Sequence, residues 1–108
     1  MRKSEAINLI RGTTATIKLR IESEIDLRLC KQIWVTMRQG DKEITKTMTE
    51  LTVEKNCILI DLSQNDTLAL DPGMVYVQVR GLTAAGSAFA TGIASVKVER
   101  ILKEGEIS

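Results

Sequence analysis

The feature that most constrains this chain is a two-residue hydrophobic period that runs briefly, stops and starts again. Ala15, Ile17, Leu19 and Ile21 alternate with Thr16, Lys18 and Arg20. Ile33, Val35 and Met37 repeat the pattern, as do Val75, Val77 and Val79. Side chains along a strand point to opposite faces in turn, so each run specifies a strand with one buried face.

The breaks between runs hold turn residues, and the pairing across them can be read from the sequence. Gly40-Asp41 is the centre of a two-residue hairpin. It sets Arg38 opposite Glu43, Met37 opposite Ile44, Thr36 opposite Thr45 and Ile33 opposite Met48, like with like or charge with countercharge. Val35 opposite Lys46 is discordant, which marks Lys46 as belonging to an exposed edge. A second hairpin at Lys55-Asn56 pairs Glu54 with Cys57, Val53 with Ile58 and Leu51 with Ile60. Asn56 suits the positive φ of a type I′ turn. Apolar parity changes between Met48 and Leu51, so a bulge or a switch between sheets is expected near Thr49-Glu50. A third hairpin turns at Ala84-Ala85-Gly86, with Gly86 left-handed. It puts Val79 opposite Thr91, Val77 opposite Ile93 and Tyr76 opposite Ala94, with a parity shift after Ile93.

Two segments break the period. Glu22 to Lys31 reads as a short helical turn or as a connection crossing between sheets, the latter being favoured. Ser63 with Asp66 three residues on forms a capping box, and Asp71-Pro72-Gly73 closes the segment. The prediction is one short helical turn near residues 63–70, with Leu68 and Leu70 inward. About seven strands with evenly spaced turns predict an all-β, immunoglobulin-like β-sandwich, a small barrel being the alternative. The 108 residues make one domain, 1–108, with 1–8 and 103–108 as flexible ends and Ile101 and Leu102 still packing.

Composition narrows the function. Fifteen basic and fourteen acidic residues leave +1, without the basic excess of a nucleic-acid binder. Trp34, Tyr76 and Phe89 are the only aromatics, and Trp34 is expected to pack in the core or half-buried. Cys30 and Cys57 read as two reduced, buried thiols rather than a disulfide framework. No apolar run approaches the ~20 residues of a membrane span, and no apolar stretch follows Met1-Arg2-Lys3 to make a signal peptide. Synthesis in the cytoplasm and no membrane insertion are expected.

The chain contains no histidine, which removes the commonest general base and metal ligand. Asp61, Asp66 and Asp71 form the densest acidic group; a paired-carboxylate hydrolase or a calcium site is weighed there against plain capping and turn formation, and capping is preferred. Gly81, Gly86 and Gly92 sit on or beside strands rather than opening a helix, so they are not a phosphate loop. Arg11-Gly12-Thr13-Thr14 leads into the first strand and could face a partner, solvent exposure without a role being the preferred reading. No catalytic, cofactor or metal residues are assigned.

Asp66-Thr67-Leu68, Pro72-Gly73, Val75 to Arg80, Gly86 and Ala88-Phe89-Ala90 carry a resemblance, joined by Ile10 to Thr14 and Val96-Lys97-Val98. Over roughly residues 9 to 102 they resemble small immunoglobulin-like proteins encoded in prophage tail and baseplate regions, and the N-terminal domain of phage baseplate upper proteins. The resemblance implies a non-enzymatic virion component that assembles with copies of itself or with other phage structural proteins. It gives Gln78 and Arg80 no role. The alternative is a carbohydrate-binding or adhesin-like sandwich, which predicts Trp34 or Tyr76 exposed beside polar side chains. An enzyme using carboxylates or Cys57 ranks third.

Overall fold

The computed structural model describes residues 7–107. Nine strands follow the alternation of the sequence: β1 (Ile7–Ile10), β2 (Ala15–Arg20), β3 (Gln32–Gln39), β4 (Lys42–Thr47), β5 (Leu51–Val53), β6 (Cys57–Leu62), β7 (Gly73–Leu82), β8 (Ala88–Ala90) and β9 (Ala94–Glu99). One short helix, α1 (Gln64–Leu68), joins β6 to β7. One sheet has the order β1-β9-β7-β3-β4, with β8 also on β7; the other is β2-β6-β5. All pairs are antiparallel except β1 with β9. The fold is an all-β sandwich of two sheets.

The inner faces make the core. Ile17 and Leu19 from β2 and Ile58, Ile60 and Leu62 from β6 are buried in one cluster with Ile33, Val35, Met37, Val75, Val77, Val79, Val96 and Val98. Burying each such side chain is worth about 1.5–3 kcal/mol against an exposed reference, which outweighs the weak preferences of the loops. Two of the crossings between sheets contain 3-10 turns, and a third runs through α1. Leu27–Leu29 is a 3-10 turn between β2 and β3, so both readings of Glu22 to Lys31 hold: a crossing that contains a turn. Met48–Glu50 is a second 3-10 turn, and it carries the chain from β4 in one sheet to β5 in the other where parity changes.

The first hairpin has the predicted register from Arg38↔Glu43 to Val35↔Lys46, but pairing ends at Trp34↔Thr47. Met48 leaves for the turn, so it does not oppose Ile33. The second hairpin has the predicted pairs Val53↔Ile58 and Leu51↔Ile60. Its turn is not type I′, because no described non-glycine residue has a positive φ. The carbonyls of Lys55 and Asn56 instead accept hydrogen bonds from the backbone N–H groups of Leu27 and Ile21.

The third hairpin corrects the predicted register. Gly86 is left-handed, at φ 88. Arg80↔Ala90 and the Thr91 N–H to Val79 carbonyl bond keep the predicted pairing as far as Thr91. Beyond it Val77 pairs with Ala94 and Tyr76 with Ser95, one residue later than predicted. Gly92 and Ile93 together oppose the single residue Gln78, which is a bulge. Thr91 holds it open: its hydroxyl accepts from the Val79 N–H at 3.1 Å and donates to the Gly92 carbonyl at 3.0 Å. The bulge also divides the last predicted strand into β8 and β9, and with β1 this accounts for nine strands rather than seven.

Residues 1–6 and 108 of the expected flexible ends lie outside the described residues. Within them Ile7 and Asn8 pair with Val96 and Lys97. Near the other end, the Gln64 side-chain amide exchanges two hydrogen bonds with the backbone of Ile107, both 2.9 Å.

Candidate functional site

Alternation that buries one face of the five-strand path leaves the other face outward. Trp34, Thr36 and Arg38 from β3 stand beside Arg80, Gln78 and Tyr76 from β7, pair by pair. On the far side of β3 they meet Thr47, Thr45 and Glu43 of β4. Trp34 is half-buried on this outer face rather than in the core. Tyr76 is 53% exposed, Met74 44% and Ile93 60%. Ile93 is there because the bulge pushes it out of the alternation that buries Ala94 and Val96.

The side chains frame an open depression of about 650 Å³, lined among others by Thr36, Arg38, Glu43, Tyr76, Gln78, Arg80 and Ile93. Arg38 donates to Glu43 at 2.6 Å, and that hydrogen bond, with the guanidinium charge, holds the Glu43 carboxyl below its ordinary range. The Gln78 amide donates to the Thr91 carbonyl at 2.8 Å, fixing its side chain at the rim. Arg80 makes no ion pair among the described residues. The face therefore offers an exposed phenol ring, two apolar side chains and a guanidinium without a countercharge among the described residues.

The sequence-predicted candidates are distributed elsewhere. Asp61, Asp66 and Asp71 are each engaged separately. Asp61 accepts from the Thr16 hydroxyl at 2.7 Å. Asp71 pairs with Lys42 at 2.8 Å, and that bond holds its carboxyl low. Asp66 closes the α1 capping box with Ser63 and also receives the Lys46 ammonium at 3.0 Å. Burial pushes the Asp66 carboxyl up, but the Ser63 N–H and Lys46 outweigh it and the net shift is downward. Lys46, expected to mark an edge, is on the edge strand β4, and its ammonium donates to Asp66 in the first turn of α1. No group of three His, Cys, Asp or Glu side chains suited to a metal exists among the described residues.

Cys30 and Cys57 are buried free thiols. Burial pushes both up in pKa, and the Cys57 thiol also donates to Glu54 at 2.6 Å. Arg11 has a structural task that its sequence context did not suggest. Its guanidinium donates to the carbonyls of Leu70 and Leu68 at 2.9 and 3.0 Å, and it pairs with Glu104. Gly12 and Thr13 bond on either side of the buried Thr67 hydroxyl. Gly81 lies beneath the Phe89 ring, where a Cβ would come within 2.6 Å of it.

Sequence reasoning named Trp34, Tyr76, Gln78 and Arg80 but did not join them, and it missed Arg38, Met74 and Ile93 as surface features. The signal that could have joined them is the complementary alternation: the polar positions of β3 and β7 must share a face once those strands pair. No protein-family model matches the chain, and no curated protein matches it.

Proposed function

We propose that this chain is a non-enzymatic interaction module, a component of a phage tail or baseplate that works through protein–protein contacts. The observation that carries the contact reading is the outer face of the five-strand path. Among its exposed residues are Tyr76, Met74, Arg38 and Arg80, beside a half-buried Trp34, types enriched where proteins dock; Ile93 adds exposed apolar surface among polar neighbours such as Glu43, Thr45 and Lys97. The absence of histidine and the separate engagement of each aspartate weigh against a hydrolytic alternative. The phage setting is supported by the resemblance of residues 9 to 102 to prophage-encoded immunoglobulin-like proteins. The test is mass spectrometry of purified particles from a host that encodes and expresses the chain. It should be present in stoichiometric amount; its absence from intact particles would overturn the reading.

A second reading has one specific observation in its favour. Tyr76 is exposed beside Thr36, Gln78 and two arginines around a depression of sugar-sized volume, as a carbohydrate-binding module requires. Glycan-array binding that Tyr76→Ala abolishes would favour it; silence across neutral and anionic glycans would remove it.

A further inference from the structure

We propose that the occupant of the outer face is a second copy of this chain, packed face to face across a two-fold axis that passes over Thr36. This rests on the contact reading above and adds the partner to it.

The argument begins with charge. Arg80 is exposed and makes no ion pair among the described residues. Glu43 is the one carboxylate around the same depression, and its side chain remains 47% exposed while paired with Arg38. A carboxylate has acceptor capacity for a second guanidinium. Within one copy Arg80 and Glu43 cannot meet, because two strand spacings and four residues of rise separate them: Arg80 pairs with Trp34, and Glu43 pairs with Arg38.

Symmetry removes that separation. Trp34 and Arg38 lie two residues either side of Thr36 on β3. Arg80 stands one strand to one side and Glu43 one strand to the other. Thr36 is therefore the midpoint, about 8 Å from each, for strands about 4.8 Å apart and a rise of about 3.3 Å per residue. A two-fold axis in the plane of the interface, through that midpoint and across the Arg80–Glu43 line, exchanges the two positions. Each Arg80 then faces Glu43 of the other copy, and the contact is made twice, as an isologous interface requires. On the same flattened geometry, Ile93 of one copy comes over Tyr76 of the other, and the two Tyr76 rings lie close to the axis. One operation thus covers Ile93 and Tyr76 and supplies the missing countercharge.

The footprint is a few strands wide, so the dimer is a weak one, at the small end of specific interfaces. Two charge pairs in each interface make it salt-sensitive.

Sedimentation equilibrium at low salt, from micromolar to about 1 mM, tests this with Arg80→Glu and Glu43→Arg. Each single reversal sets like charges together twice and should weaken the dimer about tenfold or more. The double reversal should restore it. An equimolar mixture of the two single variants should form a heterodimer, because every contact again joins opposite signs; its recovery also shows that both variants are folded. Ile93→Asp should give a monomer with an unchanged circular dichroism spectrum. A wild-type chain that stays monomeric throughout the range overturns the proposal, as does a dimer indifferent to the reversals or singles that the mixture does not rescue. None of these outcomes depends on whether the chain is found in particles, so the proposal and the reading it rests on fail separately.

Discussion

The Lys46–Asp66 contact ties the edge strand β4 to the cap of α1, and its removal should cost more than a surface ion pair does. The two side chains are only 16% and 22% exposed, and the ammonium sits 3.0 Å from Oδ2. The same oxygen accepts the Ser63 N–H at 2.9 Å. Asp66→Asn keeps an oxygen for that N–H and removes the charge facing Lys46. A hydrogen bond to a charged group contributes about 1.5–3 kcal/mol net, and that is the expected loss at pH 7. Asp66→Ala also removes the acceptor of the Ser63 N–H, leaving the Ser63 half of the box in place, and should lose about 1 kcal/mol more. At roughly 4–8 °C per kcal/mol, Asp66→Asn should melt about 6–24 °C below wild type. Urea unfolding of wild type, Asp66→Asn, Lys46→Met and the double variant gives the coupling, expected at about 1 kcal/mol or more. The pH dependence has a definite sign. The Asp66 carboxyl is held below its ordinary value, so the folded state binds its proton less readily than the unfolded chain does. The advantage over Asp66→Asn is full above the unfolded value near 3.9 and is lost as pH falls through the lower folded value. A coupling under about 0.3 kcal/mol, or a gap that stays constant on acidification, would refute the account.

Val77 is 1% exposed at the centre of the five-strand path, so Val77→Asp buries an unpaired charge and should cost more than about 4 kcal/mol, leaving a circular dichroism spectrum without the sheet signal. Gly86 has φ 88 and no atom within 4 Å of where a Cβ would go, so Gly86→Val carries only the backbone cost, about 1–2 kcal/mol by urea unfolding, and Gly86→Asn less. Cys57 should react slowly with a chromogenic disulfide reagent at pH 8 in the native state and quickly in denaturant, since burial and the Glu54 acceptor both hold the thiol protonated. Glu54→Gln should speed the native reaction, and an equal rate would show that the 2.6 Å contact does not govern the thiol.

What the sequence made legible was local. Alternation identified the inner residues of β2, β3 and β7, and Gly40 and Gly86 fixed their turns because both have positive φ. The Ser63–Asp66 box was readable because both halves lie within one turn of chain. Long-range effects were not. Arg11 bonds carbonyls 57 and 59 residues away, and nothing near Arg11 distinguishes it from a solvated side chain. The Lys55-Asn56 turn took a different conformation because Leu27 and Ile21, distant in sequence, claim its carbonyls.

The bulge at Gly92-Ile93 shows why the candidate surface in particular escaped the sequence. A parity shift is visible in the run from Phe89 to Val98, but parity alone does not say which residue is ejected. Placing the shift after Ile93 buries Ile93 opposite Val77; placing it before buries Ala94 there instead. The choice is made by Thr91, whose hydroxyl replaces a strand partner for the Val79 N–H and locks the register before Ile93 is reached. A polar side chain at the edge of the core thus decides that an isoleucine goes to the outside. That isoleucine, with Tyr76 beside the same depression, turns a polar sheet face into one with apolar surface left to cover. Thr91→Val removes the lock while keeping the shape. It should loosen the Gly92-Ile93 segment, seen as faster amide exchange at Val79, and weaken self-association through Ile93 without touching a residue of the proposed contact.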